Sequence, residues 1–120
     1  MDIQILKVKD AGNIENERII FKVDNDCNIN WYLIFDNTFD ENGKLSNLWR
    51  HLYIFPNMNV KAGDFIWLYT KSGTNSCRSN DSNTTTHILY WGMQNTIWNS
   101  ENGQDVAHLV KYVDSQSKRI

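Results

Sequence analysis

The stretch Thr86-His87-Ile88-Leu89-Tyr90-Trp91-Gly92-Met93-Gln94-Asn95-Thr96-Ile97-Trp98-Asn99-Ser100-Glu101-Asn102-Gly103-Gln104-Asp105-Val106-Ala107-His108-Leu109-Val110 decides how the chain is read. An aromatic-rich run, Ile88 to Trp91, stops at Gly92. A short apolar piece, Ile97-Trp98, precedes Asn102-Gly103, and a second β-prone run follows from Asp105 to Val113. Asn-Gly between two such runs is a strong hairpin signal, because both central residues of a type I′ turn need positive φ. Two strands joined by a tight turn are therefore expected here, with Trp91 and Trp98 contributing apolar area to a small core.

The rest of the chain has the same character. Ile3, Ile5 and Val8 alternate with Gln4 and Lys7 as in an edge strand. Arg18 to Val23 is a second strand, closed by Asp24-Asn25-Asp26. Trp31 to Phe35 is nearly all apolar, as in a central strand covered on both sides or one carrying a bulge. Asp36 to Asn47, with Asn42-Gly43 inside it, is a loop or wide hairpin. Leu48 to Phe55 presents Leu48, Arg50, Leu52 and Ile54 on one face, and Trp49, His51, Tyr53 and Phe55 on the other, until Pro56 stops it. Lys61-Ala62-Gly63-Asp64 turns into Phe65 to Tyr69, the clearest strand. Lys71 to Thr85 is almost wholly polar and reads as a surface or binding loop.

No helix is expected and no repeat is present. Short strands about ten residues apart predict an all-β antiparallel sandwich or barrel of about 7–9 strands. A chain of 120 residues makes one domain, 1–120, large enough to bury a core without staples. Five each of Trp, Tyr and Phe, with six Gly and one Pro, fit a folded β domain.

A net charge of −2 provides no field for nucleic acid or an anionic membrane. The N-terminus carries charges at both ends of its apolar run, unlike a signal peptide, and no run approaches the roughly 18 apolar residues of a span. A cytoplasmic location without membrane insertion is the expectation, or secretion if a leader has been lost. Cys27 and Cys77 are too few and too far apart for a zinc site or a disulfide framework and are read as free thiols, with a single Cys27–Cys77 bridge open only on export.

The ordered pieces resemble the lamin-tail domain, an immunoglobulin-like sandwich found in nuclear lamins and in bacterial and archaeal proteins. Asn16-Glu17-Arg18-Ile19-Ile20 is similar to that family's opening N-E-(x)-hydrophobic strand. Trp31 or Tyr32 through Asp36 is similar to its W-x-L-x-D strand, and Phe55 with Lys61-Ala62-Gly63-Asp64 to its glycine turn and following strand. Tyr90-Trp91-Gly92, Ile97-Trp98-Asn99 and Asn102-Gly103-Gln104-Asp105-Val106-Ala107-His108-Leu109 resemble its closing signature. The resemblance covers residues 14–113. It departs from the family in a shorter, glycine-free Asp24 to Asn30 and in a last turn one residue longer. What it implies is an immunoglobulin-like fold and a non-catalytic adaptor role with a protein partner, and it carries no catalytic residues.

Site expectations follow from residue types. His51, His87 and His108 show no metal-ligand spacing, and His51 and His87 are read as solvent-facing. Cys77 has only Arg78 beside it and no base within reach, so no catalytic residue, metal or cofactor is assigned. Three or four of the five Trp are expected in the core, with Trp49, and Tyr53 on its face, the exposed exceptions that could serve as binding aromatics. Asn75, Arg78, Asn80 and Asp81 are the candidate binding residues of the polar loop. That loop also holds two glycosylation sequons, at Asn80 and Asn83, relevant only on export.

The competing functions are a carbohydrate-binding β-sandwich module, which needs an exposed aromatic row, a nucleic-acid-binding role, which the charge argues against, and a small hydrolase. An open edge strand would also permit a homodimer.

Overall fold

In the computed structural model, which describes residues 1–38, 51–98 and 105–120, alternation becomes a two-sided β-sandwich. The ten strands among the described residues are β1 (Ile3–Lys9), β2 (Arg18–Val23), β3 (Cys27–Asn28), β4 (Tyr32–Thr38), β5 (His51–Ile54), β6 (Asn59–Val60), β7 (Phe65–Tyr69), β8 (Ser76–Ser79), β9 (Thr85–Tyr90) and β10 (Asp105–Lys111). A five-stranded sheet has the order β1-β2-β7-β9-β8, a three-stranded sheet the order β10-β4-β5, and β3 with β6 forms a small ribbon.

The inner positions of β2 and β7, Ile19, Phe21, Ile66 and Leu68, are fully buried and meet Tyr32, Ile34 and Phe55 from the other side. Phe21 and Phe55 join the two layers edge to face at 5.4 Å, the arrangement that aromatic quadrupoles favour. The predicted strands at Arg18 to Val23 and Phe65 to Tyr69 stand at those bounds. β1 is an edge strand as read, with a register shift between Ile5 and Lys7 that blunts it against further pairing.

One pair runs parallel. β7 and β9 lie side by side in register from Phe65↔Thr86 to Tyr69↔Tyr90, while every other pair among the described residues is antiparallel. After β7 the chain crosses the end of the sheet, forms β8 one place further out, and returns as β9 into the gap. The polar stretch read as a loop thus contains a strand, Ser76–Ser79, exposed at all four positions. Sequence reading missed it because an edge strand exposed on both faces needs no apolar alternation. Gly73 makes the crossing: a Cβ there would lie 2.4 Å from the Tyr90 ring. The tight turn after β8 uses Asn83 at φ 63°, a left-handed conformation that asparagine tolerates.

Other expectations change. The hairpin turn at Asn102-Gly103 lies outside the described residues, as do Asn42-Gly43 and Leu48 to Arg50. Ile97-Trp98 is buried but is not a strand, and β10 pairs along its length with β4. A 3-10 turn, Ile29–Trp31, precedes β4, so Tyr32 enters the core whereas Trp31 is 45% exposed. Of the four described Trp only Trp98 is buried; Trp67 and Trp91 are half-buried, because β7 turns Ile66 and Leu68 inward and leaves Trp67 on the outer face.

Glu17 locks the 97–98 segment in place. Its fully buried carboxylate accepts the Gly12 and Trp98 N–H groups at Oε1 (3.0 and 3.3 Å), and the Ile97 N–H at 3.0 Å and the Thr70 hydroxyl at Oε2. Four donors make a buried charge tolerable where an unpaired one would not be.

Candidate functional site

The outer face of the five-stranded sheet is built by the residues that alternation excludes from the core. Register aligns Ile20, Trp67 and Ile88 across β2, β7 and β9, and Arg18, Tyr69 and Tyr90 one pair further along. Trp67 stands in the middle. Arg18 approaches it from β2 with its guanidinium carbon 4.7 Å from the ring centroid, and Arg78 from β8 at 4.8 Å. Tyr69 continues the row, stacked on Tyr90 at 5.4 Å and faced by Lys71 at 5.4 Å. Each such cation–ring contact contributes on the order of 0.5–2 kcal/mol, more as water is excluded.

A groove of about 410 Å³ opens beside this ladder, between Leu6, Lys7 and Lys9 of β1 and the Asn80-Asp81-Ser82 turn. A second concavity of about 380 Å³ continues it past Trp67 to Arg78. Four cations, Lys7, Lys9, Arg18 and Arg78, line these two spaces against one acid, Asp81. Arg18 is anchored through Nη1 to Asp10 at 3.2 Å and to the Asn16 carbonyl at 2.8 Å. Its Nε is buried without a partner. The local field is therefore positive although the chain is acidic overall, a contrast that net charge alone conceals.

The structure sorts the sequence candidates. Arg78, Asn80 and Asp81 come together at the groove. Asn80 also organises its turn, accepting the Ser82 and Thr84 N–H groups at 3.0 and 3.2 Å and donating to Thr84 and Thr86 hydroxyls. Asn75 lies apart and accepts the Tyr90 N–H at 3.2 Å. Tyr53 does not belong to an exposed face. Its ring packs on Phe55 at 5.2 Å and Trp91 at 5.6 Å, and burial pushes its phenol up to about 12. The exposed face of β5 carries Leu52 and Ile54 instead, because His51, Tyr53 and Phe55 are the residues that turn toward the core. Trp49 lies outside the described residues.

The histidines also differ from expectation. His51 Nδ1 lies 2.9 Å from Oδ1 of the fully buried Asp36, and His87 Nε2 lies 2.9 Å from Asp64 Oδ2. Both rings turn inward toward a carboxylate instead of facing solvent. His108 Nε2 sits 2.7 Å from Asn37 Oδ1 with its ring stacked on Phe35. Asp64 is itself held by the Lys61 N–H at 3.0 Å and the Thr85 N–H at 3.1 Å. Burial raises its carboxyl, but the bonds from His87 and the two backbone groups outweigh that and leave it below the ordinary range. Cys77, read as having no base near it, faces His87 directly across the β8–β9 pair. Cys27 and Cys77 are both free.

No protein-family model matches the chain, and no curated protein matches it. Sequence reasoning missed Lys7, Lys9, Arg18 and Trp67 as groove residues. Their signal was present as three cations and an indole on strands where they alternate with core positions, but which strands neighbour one another was not.

Proposed function

We propose that the chain is a non-catalytic interaction module of the lamin-tail, immunoglobulin-like type, which binds an acidic segment of a protein partner in the groove over Trp67. The observation that carries this is the guanidinium–indole–guanidinium stack set among Lys7 and Lys9, beside the open edge of β8. β8 is the last strand of its sheet among the described residues, so an extended peptide pairing with its outer edge would bring its carboxylates to Arg78 and the groove. Support for the lamin-tail kinship comes from Glu17. It belongs to the opening motif, yet its carboxylate receives the Ile97 and Trp98 N–H groups of the closing one.

A module of this kind turns over no substrate. A carbohydrate-binding module is the second reading, favoured by a single feature, an indole beside amide and carboxylate groups. A neutral sugar would have to displace a guanidinium to stack on Trp67, so an acidic protein segment fits the groove better.

The test is affinity capture from source lysate with the intact chain and with a Lys7→Glu, Lys9→Glu, Arg78→Glu variant. One protein retained by the intact chain, lost by the variant and released in about 1 M salt, where the screening length falls to roughly 3 Å, is the expected result. Equal retention by both would remove the groove as the site. Retention of no protein, together with a positive glycan array, would replace the reading with the carbohydrate one. Sedimentation of the purified chain reports whether a second copy occupies the β8 edge.

A further inference from the structure

On the opposite face of β8 from Arg78 lies a separate cavity of about 360 Å³, lined by Met58, Asn75, Ser76, Cys77 and His87. Cys77 and His87 are direct partners in the antiparallel β8–β9 register, so their side chains project to the same face. Cβ atoms of such a pair stand roughly 4.5–5.5 Å apart. That spacing allows a sulfur and a ring nitrogen to converge on one ion at first-row metal bond lengths of about 2.3 and 2.0 Å. The third ligand type is the Met58 thioether, on a backbone fixed at both polar groups: its N–H donates to Asn28 Oδ1 at 3.3 Å and its carbonyl accepts the Ile29 N–H at 3.0 Å.

The imidazole is set up from behind. With Nε2 2.9 Å from an acceptor-only carboxylate, Nε2 is the nitrogen that donates, and in the neutral ring this leaves the Nδ1 lone pair for a ligand. Nδ1 has no partner among the described residues, although the His87 side chain is only 13% exposed. A histidine that donates its other N–H to a carboxylate is the usual arrangement around a metal, since the outer partner fixes the tautomer and ring plane. Among the described residues no three His, Cys, Asp or Glu side chains are placed to hold an ion. The set here has two of those ligands and a thioether, which suits a soft ion of low coordination number and not calcium, magnesium or tetrahedral zinc.

We propose that Cys77, His87 Nδ1 and Met58 Sδ form a binding site for monovalent copper, with Asp64 as the positioning residue behind the imidazole. Binding exchanges the Cys77 thiol proton, released to solvent, for a copper–thiolate bond, and no electron is transferred.

Anaerobic titration of the full chain with Cu(I) against a bicinchoninate competitor tests this. One equivalent is expected in the parent and in Cys27→Ser. Affinity should fall at least about 100-fold in Cys77→Ser and in His87→Asn, and about 10-fold in Met58→Leu and in Asp64→Asn. X-ray absorption should show copper bound to sulfur and one imidazole. Because a variant could fold poorly, the folded Cys27→Ser protein is also alkylated at exposed Cys77 with iodoacetamide, circular dichroism verifying the fold. Loss of copper capacity then supports the site. Failure of the parent to compete, full capacity after alkylation, loss of binding in Cys27→Ser, or a copper shell without sulfur would each overturn it.

Discussion

Replacing Glu17 with Gln keeps the side chain's shape and removes its charge, which isolates what the buried carboxylate does. The four donors around it are the N–H groups of Gly12, Ile97 and Trp98 and the Thr70 hydroxyl. In the less costly orientation the new amide nitrogen turns toward Thr70, whose hydroxyl rotates to accept, and the Ile97 N–H is left facing an NH2 group. Orphaning one buried donor costs about 1–3 kcal/mol. The remaining bonds change from charge-assisted to neutral and lose roughly half their strength. The expected destabilisation is about 3–5 kcal/mol, against roughly 6–18 kcal/mol for a domain of this length.

Urea unfolding followed by Trp fluorescence and by far-ultraviolet circular dichroism measures it, with an unchanged m-value as the check that both transitions are two-state. Thr70→Val serves as the calibrating variant, expected to lose about 1–2 kcal/mol because one donor disappears without leaving an orphaned N–H. A loss below about 1 kcal/mol in Glu17→Gln would refute the reasoning, since it would mean that water reaches the carboxylate and that the 97–98 segment is held by its apolar contacts alone.

Two further outcomes are expected. Tyr53 titrates near 12 in the folded chain and near 10 when unfolded, so its stabilisation is complete below pH 10 and is lost as pH rises from 10 toward 12. The full displacement corresponds to about 2.7 kcal/mol, reduced to roughly 1–2 kcal/mol by the part of the residue still in contact with water. Urea unfolding at several alkaline pH values should show that loss in the parent and a shallower one in Tyr53→Phe; identical slopes would contradict it. Gly73→Ala should destabilise by about 1–3 kcal/mol, because the added methyl meets the Tyr90 ring at 2.4–2.7 Å and that ring is stacked on Tyr69. A thermal melt unchanged by that substitution would show that the crossing segment can move aside.

The sequence by itself determined the all-β class and the bounds of β2 and β7, because period-2 alternation and turn residues are local signals. A glutamate before an apolar strand reads as an exposed charge unless its donors, three of them 53 to 81 residues away, are known.

β8 escaped sequence reading because a wet edge strand has no apolar period, and Tyr53 was misassigned because both faces of Leu48 to Phe55 carry apolar side chains. Alternation divides such a strand into two sets without saying which is inside. Only the tertiary structure decided that β9 slots between β7 and β8. That insertion brings Arg78 over Trp67 on one face and Cys77 opposite His87 on the other. The physical reason is that strand order is set by which apolar faces meet and which crossings the chain can make, and these are non-local quantities that residue spacing does not encode.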